Sequence, residues 1–355
     1  MSKRSFAAVS CALALTVPAL ASSTATGSWT ATANMTTARA HLTATTLGDG
    51  RVLVVGGVGE TTTELYNPPT GTWIPGGQLS TPRWLHVAVR LAGGRVLVAG
   101  GGAYTPSAEL YDPLTNAWTS TGSMSVDRYA FTGTLLHDGR VLVVGGQSLS
   151  GVQASAELYS PSTGRWTSTG SLRTPRKNHT TTLLPDGKVL VAGGFNADGW
   201  LRSAELYDPA RGRWSRATPM AAPREHASAT LLDNGRVLVA GGGSPSATLS
   251  AELYDPASGK WTTTGSMTDY HGAAAVLLQD GRVLVAGGGD AGDVYSPATG
   301  TWTATGPMVN PAIGGAAVAR LANGQVLNVG GEMLVFCSPK GCSSAPSANA
   351  ELYTP

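Results

Sequence analysis

The chain has 355 residues, of which 24 are basic, 22 are acidic and 42% are hydrophobic. A formal charge of +2 without a run of basic residues provides no electrostatic surface for nucleic acid or for an anionic membrane. We therefore expect neither class of partner.

The N-terminus has the pattern of a secretory signal peptide. Lys3 and Arg4 precede an apolar stretch at residues 6–20, and Ala19-Leu20-Ala21 supplies small residues at a cleavage site. This pattern predicts a signal peptide at residues 1–21 and one mature domain at residues 22–355. No later stretch reaches about 18 consecutive apolar residues, so we expect a secreted or periplasmic protein without membrane insertion.

The rest of the chain repeats one pattern at intervals of roughly 46 residues. Each copy has an apolar strand, a Gly-Gly pair, a triplet such as Glu-Leu-Tyr, and then a Trp. The Gly-Gly pairs begin at Gly56, Gly100, Gly145, Gly193, Gly241, Gly287 and Gly330, and the tyrosines are Tyr66, Tyr111, Tyr159, Tyr207, Tyr254, Tyr295 and Tyr353. A period of this length, built from short strands and turns, predicts an all-β, seven-bladed β-propeller.

The tryptophans predict how the ring closes. Six of them follow a tyrosine of the repeat: Trp73, Trp118, Trp166, Trp214, Trp261 and Trp302. Tyr353 has no Trp after it, whereas Trp29 precedes the first repeat. We therefore expect the segment around Trp29 to form the outer strand of the last blade, which leaves no open edge in the ring.

The order of motifs also predicts the strands within a blade. In the first repeat Asp49-Gly50 is a hairpin signal, and residues 51–55 form a nearly continuous apolar strand. Paired glycines, a Tyr and a Trp at fixed spacing resemble the kelch repeat. The resemblance covers residues 29–355 and implies a kelch-type propeller, a fold that includes both binding modules and enzymes.

Charged residues that recur from blade to blade are interpreted as structural. Arginines recur before the first strand of five repeats, at Arg39, Arg83, Arg128, Arg176 and Arg224. Acidic residues recur in the third strand, at Glu64, Glu109, Glu157, Glu205, Glu252, Asp293 and Glu351. We expect ion pairs between blades or contacts with the backbone, and we assign no catalytic residue.

Eight aromatic residues outside the signal peptide do not belong to the repeat: Trp84, Tyr104, Tyr129, Phe131, Phe195, Trp200, Tyr270 and Phe336. Each lies after a Gly-Gly pair or near the start of a first strand, two places that share one face of a propeller. The predicted ligand-binding residues on this loop face are Trp84, Tyr104, Tyr129, Phe195, Trp200, Arg202, His179, Tyr270 and His271. Aromatic rings beside amide and carboxylate groups suit a carbohydrate or an extended peptide.

The histidines are not expected to form a metal-binding ring. Counted from the recurrent Arg, His41 and His226 lie two residues on, whereas His86 and His179 lie three residues on. Side chains alternate between the two faces of a strand, so these two sets should point in different directions.

Cys337 and Cys342 are the two cysteines outside the signal peptide. In an oxidising compartment two cysteines this close in one loop favour a local disulfide. A reactive or metal-binding pair is the alternative, but no further ligands are evident nearby.

The segment containing Tyr270-His271 resembles the Tyr-His segment of galactose oxidase and related copper radical oxidases, which are also seven-bladed kelch-like propellers. The resemblance implies that Tyr270 and His271 would ligate copper. That family also needs a second Tyr joined to a Cys and a second His from a further domain, and this chain offers no match for either. Propellers of the sialic acid mutarotase type are another alternative, although their acidic and basic residues cannot be placed here.

These observations together predict a secreted, monomeric kelch-like propeller that binds a carbohydrate or protein ligand on the loop face. We expect no cofactor and no catalysis, with a copper oxidase as the alternative.

Overall fold

The computed structural model describes residues 26–102, 104–244, 248–269, 274–338 and 341–355. The predicted signal peptide at residues 1–21 lies outside these ranges. The described residues form strands and turns without a helix. Consequently none of them belongs to a helix long and apolar enough to cross a membrane.

The strands form seven antiparallel sheets of the kind predicted for the blades, with the first strand of each nearest the axis. The chain begins with β1 (Ser28–Ala31). Blade 1 consists of β2 (Thr43–Thr46), β3 (Val52–Val55), β4 (Thr62–Asn67) and β5 (Thr72–Gln78). Blade 2 consists of β6 (Val87–Arg90), β7 (Val96–Ala99), β8 (Ala108–Asp112) and β9 (Ala117–Thr121).

Blades 3 and 4 each carry an extra two-stranded hairpin after the second strand. Blade 3 runs through β10 (Thr132–Leu135), β11 (Val141–Val144), the hairpin β12 (Gln147–Ser148) and β13 (Gly151–Val152), then β14 (Ala156–Ser160) and β15 (Arg165–Thr169). Blade 4 runs through β16 (Thr180–Leu183), β17 (Val189–Ala192), the hairpin β18 (Phe195–Asn196) and β19 (Gly199–Trp200), then β20 (Ala204–Asp208) and β21 (Arg213–Ala217).

The last three blades complete the ring. Blade 5 consists of β22 (Ser228–Leu231), β23 (Val237–Ala240), β24 (Ala251–Asp255) and β25 (Lys260–Thr263). Blade 6 consists of β26 (Ala274–Leu277), β27 (Val283–Ala286), β28 (Ala291–Ser296) and β29 (Thr301–Pro307). Blade 7 consists of β30 (Gly314–Arg320), β31 (Val326–Ser338), β32 (Gly341–Pro346) and β33 (Ala350–Thr354), and its outer strand is β1.

The predicted closure of the ring is confirmed by the pairing of β1 with β33. Trp29 lies opposite Tyr353, and their ring centroids are 5.1 Å apart. The same Tyr–Trp contact recurs in the other six blades at 5.0–5.1 Å. The Trp29 indole donates a hydrogen bond of 2.9 Å to Thr305 of blade 6. The two ends of the chain therefore complete one blade.

The blades pack through strands that are buried on both faces. All four residues of β3 are fully buried, as are those of β7. Leu53 and Val55 of blade 1 share an apolar core with Val96, Val98 and Tyr111 of blade 2. This two-sided burial explains why the second strands read as continuous apolar stretches.

The recurrent arginines and glutamates pair within one blade. The prediction that their ion pairs join neighbouring blades is therefore wrong. Arg128 Nη2 lies 3.1 Å from Glu157 Oε1, and Arg128 Nη1 donates to the carbonyl oxygens of Gly145 and Ser155 at 2.9 Å. The same pairing occurs in blades 1, 2, 4 and 5 at 2.9–3.2 Å. We call this arrangement the clamp, since it ties the incoming loop to the blade that this loop begins.

Contacts between neighbouring blades come from the backbone of the same arginines. In five of the pairs the second glycine donates its N–H to the carbonyl oxygen of the recurrent Arg in the next blade, as Gly146 does to Arg176 at 2.9 Å. Gly145 has a φ of 67°, and a Cβ at this position would lie 2.5 Å from the Arg176 carbonyl oxygen. Glycine is therefore required by both the backbone conformation and the close approach.

Blade 7 carries a long hairpin, formed by β31 and β32, on the same side as the loops after the other Gly-Gly pairs. The backbone of Cys337 lies opposite that of Cys342 in this hairpin. Their side chains lie outside the described part of the structure, so the disulfide stays a prediction.

Candidate functional site

One face of the propeller carries both sets of loops in which the non-repeat aromatics occur. Thr43, at the start of β2, lies opposite Val55, at the end of β3, so both loops emerge on the same side. The Asp-Gly hairpins lie at the other ends of these strands. We call these two sides the loop face and the turn face.

A ring of backbone hydrogen bonds surrounds the axis on the loop face. It joins the residue two positions after the recurrent Arg, or its equivalent, in successive blades. The described members of this axial ring are His41, Leu85, Ala130, Asn178, His226 and Gly315. The N–H of every member but Gly315 donates to the carbonyl oxygen of the described member before it around the ring, at 2.8–3.1 Å. All six residues have φ between 51° and 68°. The ring thus fixes where these side chains project, at the mouth of an axial cavity.

The axial cavity has a volume of about 590 Å³. Its wall is uneven. Blades 1 to 4 contribute larger side chains, including His41, His86, Phe131 and His179, whereas blades 6 and 7 contribute mainly alanine and glycine. Among the described residues of this wall, the smallest side chains therefore lie in blades 6 and 7.

Polar groups at the mouth are joined in two networks. Asn178 Nδ2 donates to Glu225 Oε2 at 2.8 Å, and the same carboxylate oxygen lies 3.8 Å from His226 Nε2. His41 Nε2 lies 3.2 Å from Glu332 Oε1, and the Ser344 hydroxyl donates to the other Glu332 oxygen at 2.9 Å. Both networks combine a carboxylate with an imidazole that is still partly open to solvent.

Burial lowers the pKa of His226. The Glu225 carboxylate acts in the opposite direction and raises this pKa, whereas His41 and Lys177 lower it. His226 is therefore mainly neutral at neutral pH and can donate or accept a hydrogen bond.

An aromatic pair from blades 2 and 3 borders this mouth. Tyr104 and Tyr129 meet edge to face, with centroids 5.5 Å apart at 85°. Tyr129 directly precedes Ala130 of the axial ring. Its pKa is raised by burial and by a hydrogen bond with Tyr104. The Tyr129 phenol therefore remains a neutral hydrogen-bonding group across the physiological range.

A second aromatic pair lies on the hairpin of blade 4. Phe195 and Trp200 meet edge to face, with centroids 5.4 Å apart. Lys177 Nζ lies 5.9 Å from the Phe195 centroid and 3.3 Å from Gln147 Oε1, while the Gln147 backbone pairs with that of Tyr129. Contacts therefore run without interruption from Tyr104 to Trp200. We call the residues Tyr104, Tyr129, Phe195 and Trp200 the aromatic arc.

Other predicted ligand-binding residues do not belong to the aromatic arc. The Trp84 indole is half-buried and covers Gly102, where any side chain would collide with it. Arg202 lines a separate groove at the outer rim with Trp261. Tyr270 and His271 lie outside the described residues. The structure thus brings four of the nine predicted residues together in the aromatic arc.

His179 is buried between blades 3 and 4. It is 6% exposed, and its Nε2 shares a hydrogen bond of 3.0 Å with the Thr132 hydroxyl. His86 has the same place between blades 1 and 2, where its Nε2 shares a hydrogen bond of 2.9 Å with the Thr43 hydroxyl. Burial, together with the positive charge of the nearby clamp arginine, lowers the pKa of each imidazole from its usual 6.5 to about 3. These two histidines are neutral core residues, while His41 and His226 project at the mouth, a separation that strand alternation predicts.

The sequence reasoning missed Glu225 and Gln147, which connect the mouth to the aromatic arc. A signal for Glu225 was present, because it occupies the position after the recurrent Arg, as Trp84, Tyr129 and Lys177 do. No sequence signal shows that Gln147 reaches Lys177, because this contact depends on the hairpin of blade 3.

Comparison with known families agrees with the geometry. Residues 128–173 and 176–221, which span most of blades 3 and 4, match the Kelch motif. The chain is a seven-bladed β-propeller in which these two segments match the Kelch motif.

Solved structures similar to this propeller differ in what they are described as doing. A fungal alcohol oxidase of the AA5 family, in complex with copper, is 21% identical and has a TM-score of 0.75 over 93% of this chain and 76% of its own. The structure of YjhT is 14% identical and has a TM-score of 0.61 over 77% of this chain and 99% of its own. At these identities the similarity shows the fold alone. No curated protein sequence matches the chain.

The described residues do not form a metal centre. No group of three or more histidine, cysteine, aspartate or glutamate side chains among them could hold a metal ion. A copper site of the AA5 type therefore has no supporting ligand set in this part of the chain, and we derive no copper chemistry for it.

Proposed function

We propose that this kelch propeller is an exported binding module that holds an extended polypeptide segment on its loop face. The observation that carries the proposal is the uninterrupted line of contacts from Tyr104 to Trp200, beside the mouth of the axial cavity. Export is supported by the signal-peptide pattern of residues 1–21.

The residue types along this line are those of protein-binding surfaces. Aromatic side chains are common anchors at interfaces because they bury a large area with few rotatable bonds. Tyr104 and Trp200 are 43% and 40% exposed, so each retains surface that a ligand could cover. Lys177, Glu225 and Glu332 add charges of both signs, which suit the amide groups and charged side chains of a peptide.

The packing of the rings favours a peptide over a sugar. Both aromatic pairs meet edge to face, at 85° and 77°, so they do not form one flat platform on which a sugar ring could stack. They instead leave angular surfaces that side chains of a peptide can contact. The cavity beside them has room for a larger anchor group.

Selection from a random peptide library, with a glycan array in parallel, tests the proposal. The purified protein should select peptides, and Tyr129→Ala and Trp200→Ala should each weaken binding of a selected peptide at least tenfold. Leu114→Ala is the matched control, because Leu114 is a 94% exposed apolar side chain in the turn after β8, on the turn face. Binding to glycans alone, or peptide binding that both aromatic variants retain, would contradict the proposal.

A copper oxidase is the second candidate. It is favoured by the similarity to the AA5 alcohol oxidase over 93% of the chain and by the Tyr270-His271 segment. Two ligands alone would make an open and weak copper site. Stoichiometric copper after reconstitution, together with peroxide release from alcohols, would favour this candidate over the binding module. A mutarotase-type activity has no assigned residues here.

A further inference from the structure

The part of the axial cavity between blades 6 and 7 differs from the corresponding space at four other blade interfaces. At those interfaces, the side chain that follows the axial-ring residue fills the space above the first glycine of the preceding blade. These filling side chains are Leu42, His86, Phe131 and His179. They would lie 2.7–3.0 Å from a Cβ placed on Gly330, Gly56, Gly100 and Gly145, respectively.

In blade 7 the equivalent residue is Ala316. Among the described residues, a methyl group placed on Gly287 of blade 6 would have one atom within 4 Å, the Cβ of Ala316 at 3.7 Å. Blade 5 also carries an alanine here, Ala227, but the Met220 side chain reaches within 3.3 Å of the corresponding position on Gly193. The space between Gly287 and Ala316 therefore forms a recess that opens into the axial cavity, of which both residues are part of the wall.

The polarity of each filling side chain matches that of the residue it faces on the inner strand of the preceding blade. His86 and His179 each face a threonine hydroxyl, Thr43 and Thr132. Phe131 shares an apolar core with Val87, and Leu42 shares one with Ala317. Imidazole thus occurs where the neighbour is polar, and an apolar side chain occurs where it is apolar.

The neighbour of the recess is Ala274, the first residue of β26. Ala274, Ala275 and Ala286 line the cavity beside Gly287 and Ala316, and none of these side chains carries a polar atom. A wall of alanine and glycine residues favours an apolar ligand over water.

We propose that the recess between Gly287 and Ala316 is a binding site for a compact apolar group, of the size of a phenyl ring or an isobutyl group. A bound group takes the place that Phe131 and Leu42 have at their own interfaces. The polar part of the same ligand then lies at the mouth, near His41 and Asn178. This site does not depend on peptide binding by the aromatic arc, since it is built from different residues.

Toluene and 4-methylimidazole are suitable probes, because they have similar size but differ in polarity. Titration into the protein labelled at its alanine methyl groups should shift the NMR signals of Ala274 and Ala316 with toluene, at a Kd of roughly millimolar. The imidazole should bind at least tenfold more weakly. Absence of shifts with toluene, or equal binding of both probes, would overturn the proposal.

Variants taken from the chain's own repeats make the test specific. Ala316→Phe and Ala316→Leu introduce the residues of blades 3 and 1, so each should fill the recess and weaken toluene binding at least tenfold. Leu42→Ala should create an equivalent recess above Gly330 and raise the stoichiometry from one toluene to two. Undiminished binding to both Ala316 variants, or an unchanged stoichiometry in Leu42→Ala, would contradict the assignment.

The apolar group could belong to a side chain of a partner protein or to a free small molecule, and a further titration distinguishes these two sources. N-acetyl-phenylalaninamide carries the same ring as toluene on a peptide backbone. Tighter binding than toluene at the same alanine signals supports a partner side chain as the ligand, whereas weaker binding at those signals supports a free small molecule.

Discussion

Trp29 and Tyr353 lie opposite each other on adjacent strands, with ring centroids 5.1 Å apart, although they come from the two ends of the chain. Trp29 is 6% exposed and Tyr353 is fully buried. This contact closes the propeller and leaves blade 7 with the same Tyr–Trp pair as its neighbours. Its loss would leave the β33 edge unpaired.

Replacement of Trp29 by alanine should therefore destabilise the whole ring. Removal of a buried Trp costs about 3 to 5 kcal/mol through lost burial and the cavity left behind. Equilibrium denaturation in urea measures the loss. Ser28→Ala, at an exposed position of the same strand, should stay within about 0.5 kcal/mol of the wild type. Equal stability of Trp29→Ala and Ser28→Ala would show that the N-terminal strand is dispensable for closure.

The clamp gives a second prediction. Arg128→Ala should lower the free energy of unfolding by about 3 to 5 kcal/mol, because it leaves Glu157 buried without its partner. The double variant Arg128→Ala/Glu157→Ala should lose less than the sum of the two single variants. Thermal or denaturant unfolding of the four proteins in this cycle provides the comparison. Strict additivity would argue against a direct coupling between the two side chains.

The buried histidines make stability depend on pH. The folded-state pKa of His86 and of His179 lies near 3, below the usual 6.5, so only the unfolded chain binds these two protons between those values. The stabilisation is thus complete above about pH 6.5 and is lost as the pH falls toward 3, by on the order of a few kcal/mol.

The chain itself supplies a variant that tests this pH dependence. His179→Phe/Thr132→Val copies the Val87–Phe131 pair of the preceding interface, so it removes one titrating group without leaving a buried hydroxyl unpaired. Urea denaturation between pH 4 and pH 7 should show a shallower decline for this variant than for the wild type. An identical pH profile would mean that His179 is not responsible.

Two glycines with similar dihedral angles should respond differently to alanine. A Cβ at Gly56 would collide with the Arg83 carbonyl oxygen, whereas a Cβ at Gly50 would meet no atom within 4 Å. Both residues have positive φ, 68° and 87°. Gly50→Ala should therefore cost about 1 to 2 kcal/mol for backbone strain alone, and Gly56→Ala should cost at least about 2 kcal/mol more. Similar melting temperatures for the two variants would contradict the requirement for close approach between blades.

Much of the fold follows from local patterns in the sequence, because each blade repeats the same short-range signals. The Asp-Gly hairpin, the apolar second strand, the paired glycines and the Tyr–Trp contact all occur within one repeat. The position of Trp29 also predicted the closure, since one Trp was missing after Tyr353 and one was left over before the first repeat.

The candidate site could be predicted only in part. Strand alternation separated His41 and His226 from His86 and His179, and the positions of Tyr104, Tyr129, Phe195 and Trp200 placed them on one face. Their pairing, and the link through Gln147 and Lys177, depends on how the hairpins of blades 3 and 4 fold. The position of Arg202 in a separate groove also depends on how the hairpin of blade 4 folds.

The sequence by itself determined the number of blades, their strands and the way the ring closes, because these depend on residues close together in a repeat. Only the tertiary structure decided which partners the side chains meet across a blade interface. Arg128 pairs with Glu157 of its own blade, and Ala316 leaves a recess only because it faces Gly287 and Ala274 of the blade before it. Such contacts depend on how two distant segments approach each other, which no local pattern encodes.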